Sequence, residues 1–336
     1  MSEKILITGI TGMVGSHLLD YLIKETDAEI HGMIRWRSSL ENLSHNLDLI
    51  NSGKRVFLHY ADLKDSNSLN ELIKNVVPDK IFHLAAQSYP QTSFNIMDDT
   101  LDTNIQGTSR LLNSIKTFSP DALVHVCSSS EVFGRVPKDK VPIDENCSFH
   151  PASPYAISKT GSDLISRFYF EAYKLKTFTT RMFTHTGPRR GDVFAESSFA
   201  KQIAMIEEEL IEPIVKVGNL DSLRTVADVR DAVRAYHMLL EVNPVPGEVY
   251  NIGGTYTCKV EDILKYLISK STKKIEYSVE KKRLRPIDAD LQIPNCNKFI
   301  NHTGWKPEIS FEKTMDDLLE YWRNKIINQK QKFLSR

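Results

Sequence analysis

Short β-rich runs alternate with amphipathic stretches through the first half of the chain. Ile5-Leu6-Ile7 reads as a buried strand, a glycine-rich turn follows it, and a helix runs through Ser16–Lys24. Ile30–Ile34 and Val56–Tyr60 read as the second and third strands, with Ser68–Asn75 helical after them. Lys80–Leu84 gives a fourth strand, Thr103–Thr117 a long helix, Leu123–Cys127 a fifth strand, Tyr155–Lys174 another long helix and Phe178–Phe183 a sixth strand. Repeated strand–helix alternation predicts an α/β fold, a doubly wound parallel sheet with helices on both faces.

After Gly187 the rhythm changes. Gly187-Pro188-Arg189-Arg190-Gly191-Asp192 is loop-like and basic. Phe199–Glu209 reads as a helix, Ile214–Val217 as a strand, Asp228–Leu240 as a helix, and Val249–Ile252 as one more strand of the sheet. From about Lys259 the chain forms helices and short strands and ends in a charged helix from Phe311 to about Asn328. Gln329 to Arg336 reads as a solvated tail. The pattern predicts a nucleotide domain over residues 1–183, to which a segment at about 228–254 returns. Residues 184–227 and 255–336 would form a smaller lobe.

Composition narrows the class. The 336 residues are 41% hydrophobic and 26% charged, ordinary for a soluble globular protein and too apolar for disorder. Lys+Arg and Asp+Glu both number 43, so a globally basic surface for nucleic acid is not expected. No apolar run is long enough to span a membrane. No basic stretch leads into an apolar segment and cleavage site near the start, which fits a cytoplasmic protein. Four cysteines (Cys127, Cys147, Cys258 and Cys296) lack CxxC or metal spacing, so the expectation is reduced structural thiols and no metal.

Candidate chemistry begins at Thr8-Gly9-Ile10-Thr11-Gly12-Met13-Val14-Gly15, which leaves the first strand and opens the first helix. Glycines at this G-x-x-G-x-x-G spacing allow the tight turn, the approach of backbone to a pyrophosphate and close helix–strand packing. The helix N-terminus then faces the phosphates. The second strand runs into Ile34-Arg35-Trp36-Arg37-Ser38-Ser39, with no acid for a ribose hydroxyl. Arg35, Arg37 and Ser38 suit a ribose 2′-phosphate, which favours NADP over NAD. Asp62 and Leu63 would reach the adenine, and Ala85-Ala86-Gln87 would lie beside the pyrophosphate and nicotinamide ribose.

Tyr155-Ala156-Ile157-Ser158-Lys159 places Tyr and Lys at i and i+4, on one helix face. The ammonium is expected to lower the phenol's pKa and make it a usable base. The fifth strand ends in Cys127-Ser128-Ser129-Ser130-Glu131, at the edge where open α/β sheets bind ligands.

With the glycine loop, the serine run and Tyr-x-x-x-Lys together, the chain resembles an extended short-chain dehydrogenase/reductase, a Rossmann-type fold, over nearly its whole length. More narrowly it resembles the GDP-mannose 4,6-dehydratase family and its GDP-heptose dehydratase and 4-keto reductase relatives. The residues behind this are Ile30-His31-Gly32 with Arg35–Ser39, Leu84-Ala85-Ala86-Gln87-Ser88, Ser129-Ser130-Glu131, Pro188-Arg189-Arg190-Gly191, Val217–Arg224, Arg285-Pro286 and Gly304-Trp305-Lys306-Pro307. The resemblance implies that Ser129, Glu131, Tyr155 and Lys159 are catalytic. Ser129 would hydrogen-bond the sugar O4, Tyr155 would take the O4 proton, and Glu131 would take the C5 proton before water leaves C6. It implies cofactor contacts from Thr8, Gly9, Thr11, Gly12, Met13, Val14 and Gly15, from Leu84 to Gln87, from Tyr155 and Lys159, and from Asn104, which would support the lysine's hydration. It also implies a substrate wall of Ser88, Ser129, Ser130, Glu131, Thr184, Arg190, Lys201, Val217, Asn219, Arg224 and Arg285, the last two arginines holding the GDP phosphates. Assembly as a homodimer or homotetramer through Thr103–Thr117 and Tyr155–Lys174 is a further implication. Thr184 replaces a substrate-touching asparagine of many relatives, the loop Asp192–Ser198 lacks the lysine that the mannose dehydratases place near Ser198, and Trp36 separates the two arginines. These departures leave the sugar, hexose or heptose, open. They also leave open NADP against NAD, and dehydration against 4-keto reduction, 4-dehydrogenation or epimerisation.

Overall fold

The computed structural model describes residues 2–284 and 289–334. In chain order its strands are β1 (Lys4–Thr8), β2 (Glu29–Ile34), β3 (Val56–Tyr60), β4 (Lys80–His83), β5 (Leu123–Cys127), β6 (Thr177–Met182), β7 (His185–Thr186), β8 (Ile214–Val217), β9 (Leu223–Asp228), β10 (Val249–Ile252), β11 (Tyr256–Lys259), β12 (Glu276–Val279) and β13 (Leu291–Gln292). Seven of them form one sheet in the order β10-β6-β5-β4-β1-β2-β3, and every neighbouring pair is parallel. The doubly wound parallel sheet read from the sequence is therefore present. The central strands are buried almost end to end, as a sheet covered on both faces requires.

The order reverses between β1 and β4. Crevices at such a reversal, beyond the carboxyl ends of the strands, are where open α/β sheets take ligands. One apolar cluster packs the helices Met13–Glu25 and Val229–Glu241 on one face, and a second packs Ser66–Val76 and Gly107–Phe118 on the other. β10 returns to the sheet edge beside β6.

Beyond β6 the chain builds two smaller sheets. β9 pairs with β7, β11 and β13, and β8 pairs with β12. The helices Ala195–Glu207, Val260–Ser269 and Phe311–Leu334 close a separate apolar cluster over them. No described helix is long and apolar enough to cross a membrane.

Three elements differ from the sequence reading. β9 was not anticipated, because Leu223-Arg224-Thr225-Val226-Ala227-Asp228 lacks a clean apolar alternation. The expected helix from Thr103 is a composite: Met97–Leu101 is α-helical, Asp102–Gln106 is a π-helical turn, and Gly107–Phe118 is α-helical. The supposed tail is helical through Leu334, since Lys330 pairs with Glu208 Oε2 at 2.9 Å and ties this end to the lobe.

Candidate active site

The carboxyl ends of β1, β4, β5 and β6 open into a cleft of about 1430 Å³, whose opposite wall comes from the smaller lobe. Three features of the glycine loop position it. Gly9 sits at φ +75°, and a Cβ there would lie 2.9 Å from both the Cα and the N of Ala85. A Cβ on Gly15 would run into the Gly9 carbonyl. Gly12 is the least crowded of the three, its Cβ position meeting only the Gly9 carbonyl oxygen, at a tight 3.3 Å. Gly9 and Gly15 thus serve the fold, while Gly12 leaves a cradle open toward the cleft. The helix Met13–Glu25 begins there with no side-chain cap and no acid in its first turn, so its N–H groups suit an anion. The fit to a dinucleotide pyrophosphate is good.

Past β2, Arg35, Trp36 and Arg37 are exposed, and the Arg37 guanidinium lies 4.2 Å from the centre of the Trp36 ring. The turn is closed by Ser38, whose hydroxyl accepts from Arg35 N at 3.1 Å and whose N–H donates to the Arg35 carbonyl at 2.9 Å. Neither arginine has an ion pair among the described residues, which suits a phosphate ligand. Asp62 and Leu63, and Leu84 through Ser88, line the same wall.

Two expected cofactor residues stand behind the wall. Thr8 is fully buried, and its hydroxyl meets His83 Nδ1 at 2.9 Å and accepts from Leu84 N and Ala85 N. Asn104, in the π turn, accepts from Gln87 N at 2.8 Å and donates to the Gln87 carbonyl and to Ser158 Oγ. Both hold the loops that line the cleft rather than line it themselves.

The reacting end is built by β5 and the helix Pro154–Tyr173. Ser153 caps that helix by accepting from Ala156 N, and Pro154 occupies its first turn, so Tyr155 and Lys159 sit at its start on the cleft side. β5 ends at Cys127, and a short 3-10 turn, Ser130–Phe133, presents Glu131. Ser129 caps that turn by accepting from Glu131 N at 3.2 Å. Ser129, Ser130, Glu131, Tyr155 and Lys159 all line one cleft.

Its electrostatics correct one expectation. Burial pushes the Tyr155 phenol up, and the nearby Cys127 and Glu131 push it further. The groups that favour its ionised form are the Ser129 hydroxyl and Arg190. Lys159 is itself held below its usual value by burial, and its Nζ donates to the Cys127 carbonyl at 2.7 Å. The i,i+4 spacing points to Lys159 as the group that tunes the phenol; burial is the largest influence here, and it acts in the opposite direction. His83 is neutral, pushed down to about 3 by burial and by Lys159, and packs between Thr8 and Thr108.

The lobe side carries Thr184, Arg190, Lys201, Val217, Asn219 and Arg224, all on the wall. Arg224 donates to the Ala289 carbonyl at 2.6 Å, and Lys201 pairs with Asp192 at 2.6 Å. Arg285 lies outside the described residues. The structure also brings in residues the sequence did not single out: Tyr89, Phe194, Glu196, Lys216, Arg283 and Lys325. Arg283 reaches Ser198 Oγ at 3.4 Å, where relatives were expected to carry a lysine. The signal for this approach was Gly218, where a Cβ would lie 2.7 Å from the Arg283 carbonyl oxygen.

Known proteins share this architecture. A family model described as GDP-mannose 4,6 dehydratase matches residues 6–318. The GDP-mannose 4,6 dehydratase of Drosophila melanogaster is 32% identical over 339 residues, covering 94% of this chain and 85% of its own. That of Homo sapiens is also 32% identical over 339 residues, with 94% and 90% covered. The GDP-mannose 4,6-dehydratase of Yersinia enterocolitica is 30% identical over 350 residues, with 94% and 93% covered. Among solved structures, RMD from Pseudomonas aeruginosa complexed with NADPH superposes with a TM-score of 0.81 at 27% identity, covering 96% of this chain and 100% of that one. A match that runs through both lobes, joined to a glycine cradle and a Ser-x-Glu/Tyr-x-x-x-Lys cleft, places the chain in the GDP-mannose 4,6-dehydratase family.

Proposed function

We propose that the chain is a GDP-sugar 4,6-dehydratase, a lyase that converts GDP-mannose or a GDP-manno-heptose to its 4-keto-6-deoxy form with NADP bound, NAD being the alternative. The observation that carries this reading is Glu131 in the same cleft as Ser129, Tyr155 and Lys159. Reduction, dehydrogenation or epimerisation at C4 needs the tyrosine and lysine but no carboxylate at C5.

Gly12 and the helix N-terminus would hold the pyrophosphate, and Arg35, Arg37 and Ser38 the ribose phosphate. When bound, the nicotinamide supplies a hydride acceptor that later serves as the donor. Ser129 hydrogen-bonds the sugar O4 and Tyr155 takes its proton. Arg190 and Ser129 are the groups that favour the phenolate. Lys159, beside the strand end, orients the ribose hydroxyls. Glu131 takes the C5 proton, made acidic by the new ketone, and passes it to the departing C6 hydroxyl, which leaves as water; the proton that Tyr155 took from O4 then returns to C5 as C6 regains a hydrogen, so no net proton is consumed. Arg224 and, from the sequence resemblance, Arg285 hold the GDP phosphates.

Homodimer or homotetramer formation is supported by Ile157, Leu164, Phe168 and Tyr173, all exposed along the helix Pro154–Tyr173. A monomer in sedimentation at micromolar concentration would count against it.

The test of the chemistry is Glu131→Gln, which is nearly isosteric. It should lower the rate of 4-keto-6-deoxy product formation ~10²–10⁴-fold while GDP-sugar binding persists. Dehydration at the parent rate would remove Glu131 from this role.

A further inference from the structure

An ion pair crosses the cleft beside the ribose-phosphate turn, and the chemistry above gives it no task. Lys325, on the helix Phe311–Leu334 of the smaller lobe, places its Nζ 2.9 Å from Glu41 Oε1. Glu41 opens the 3-10 turn Glu41–Asn46 just beyond the Arg35–Ser39 segment, and its N–H donates to the Ser39 hydroxyl at 3.2 Å. Both partners line the cleft.

Each end is anchored. On the sheet side, Asn42 Nδ2 donates to the Thr11 carbonyl of the glycine loop at 2.9 Å, and the next residue, Leu43, is fully buried. On the lobe side, Lys325 Nζ lies 5.2 Å from the centre of the Trp322 ring and 3.3 Å from the Tyr321 hydroxyl. Trp322 Nε1 in turn donates to Ser197 Oγ on the helix Ala195–Glu207 at 2.8 Å. A continuous chain of contacts therefore runs from the glycine loop through Asn42, Glu41 and Lys325 into the lobe. It bridges the cleft at the end where Gly12, Arg35 and Arg37 suit the cofactor's phosphates.

The bridge is built to open. The Glu41 side chain is 58% exposed and that of Lys325 21%, so the pair is screened by salt and adds little to the stability of the fold. A contact too weak to hold two lobes together can still control a path between them. We propose that Glu41 and Lys325 form a clasp over the adenosine arm of the bound dinucleotide, one that must open for the cofactor to enter or leave. The proposal rests on the dinucleotide reading of the cleft. A clasp suits a reaction whose hydride leaves C4 and returns to C6, because such a cofactor has no need to exchange between turnovers.

A clasp differs from a direct ligand contact in its kinetics. Removing a contact mainly raises the dissociation rate, whereas removing a clasp raises association and dissociation together. Stopped-flow fluorescence of NADPH binding, and of its displacement by excess NADP, reads both rates in the parent, Lys325→Met and Glu41→Gln. Both rates should rise about two- to fivefold in each variant, the range a half-exposed ion pair supplies, with their ratio constant within about twofold. The double variant should match either single one, because the pair is broken only once. At about 1 M salt the parent should approach the variants. Glu41→Gln changes an exposed side chain and decides the matter if Lys325→Met does not fold. Rates equal to the parent's, or a rise in dissociation alone, overturn the clasp. The same rates are read with NADH and NAD if the parent prefers them. A parent that binds neither NADPH nor NADH overturns the dinucleotide reading instead, and the clasp falls with it.

Discussion

Substituting Asp163 by Asn should destabilise the fold more than any change at the surface. Asp163 lies one helical turn beyond Lys159 and is fully buried, as is its partner Arg181 on β6. The pair is bidentate, with Arg181 Nε to Oδ2 at 2.8 Å and Nη2 to Oδ1 at 3.1 Å. The third nitrogen, Nη1, donates to the Glu145 carbonyl at 2.8 Å, and the guanidinium lies 5.3 Å and 4.6 Å from the Phe133 and Phe149 rings. Asn would leave Arg181 charged, buried and unable to shed its proton. Breaking a buried pair from one side costs about 3–5 kcal/mol, against a typical total stability of about 5–15 kcal/mol. Arg167, 3.4 Å from Asp163 and partly exposed, adds little. Urea unfolding followed by tryptophan fluorescence reads the loss as a lower midpoint. The double variant Asp163→Leu with Arg181→Met should recover much of it, because two apolar side chains leave no orphaned charge. Phe133 closes the turn that carries Glu131, so Asp163→Asn should also lose activity at temperatures where it remains folded. A destabilisation below about 1 kcal/mol would refute the reasoning.

Gly12→Ala should fold normally and lose cofactor affinity, whereas Gly15→Ala should fold poorly, because only the second Cβ collides with backbone. Melting temperature and nucleotide binding, measured on both variants, separate the two effects. Arg37→Ala should weaken NADP binding about tenfold and leave NAD binding nearly unchanged; an equal loss for both would remove Arg37 from the ribose phosphate. Acid should destabilise the fold well above the carboxylate range. Burial lowers His17 and His185 to about 4 and His83 and His125 to about 3. Below about pH 6.5 the unfolded chain therefore binds protons that the native state refuses, and stability falls with pH by up to about 1.4 kcal/mol per unit per histidine. Unfolding curves at intervals from about pH 7 to about pH 5 check this, and a flat profile would contradict the neutral buried histidines.

The sheet was legible because its strands carry their own signal: short apolar runs, each followed by a helix. The glycine loop was legible because its spacing sits directly between the first strand and the first helix: Gly15 packs on Gly9 and Ile10, and Gly9 takes a positive φ, although its own neighbours, Leu84 and Ala85, are far along the chain. What stayed hidden depends on distance in the chain. Lys325 reaches the cleft mouth through its 2.9 Å ion pair with Glu41, and Arg283 approaches Ser198 only after β8 and β12 pair. Glu196 looks like an ordinary helix-start acid until Arg190 is seen beside it. The i,i+4 spacing of Tyr155 and Lys159 places them on one face, but it says nothing of burial, and burial is what sets the phenol's pKa. The π turn at Asp102–Gln106 has no periodic signature, yet it aims Asn104 at Gln87 and Ser158.

The most direct test of the central claim is mass spectrometry of GDP-mannose and GDP-manno-heptose after incubation with the purified protein and no added reductant. The account predicts that at least one of them is converted to a product lighter by one water, with a ketone at C4 and a methyl or deoxy carbon at C6. Recovery of both sugars unchanged from a protein shown to hold its nicotinamide cofactor, or a product altered at C4 that keeps its C6 hydroxyl, would contradict it.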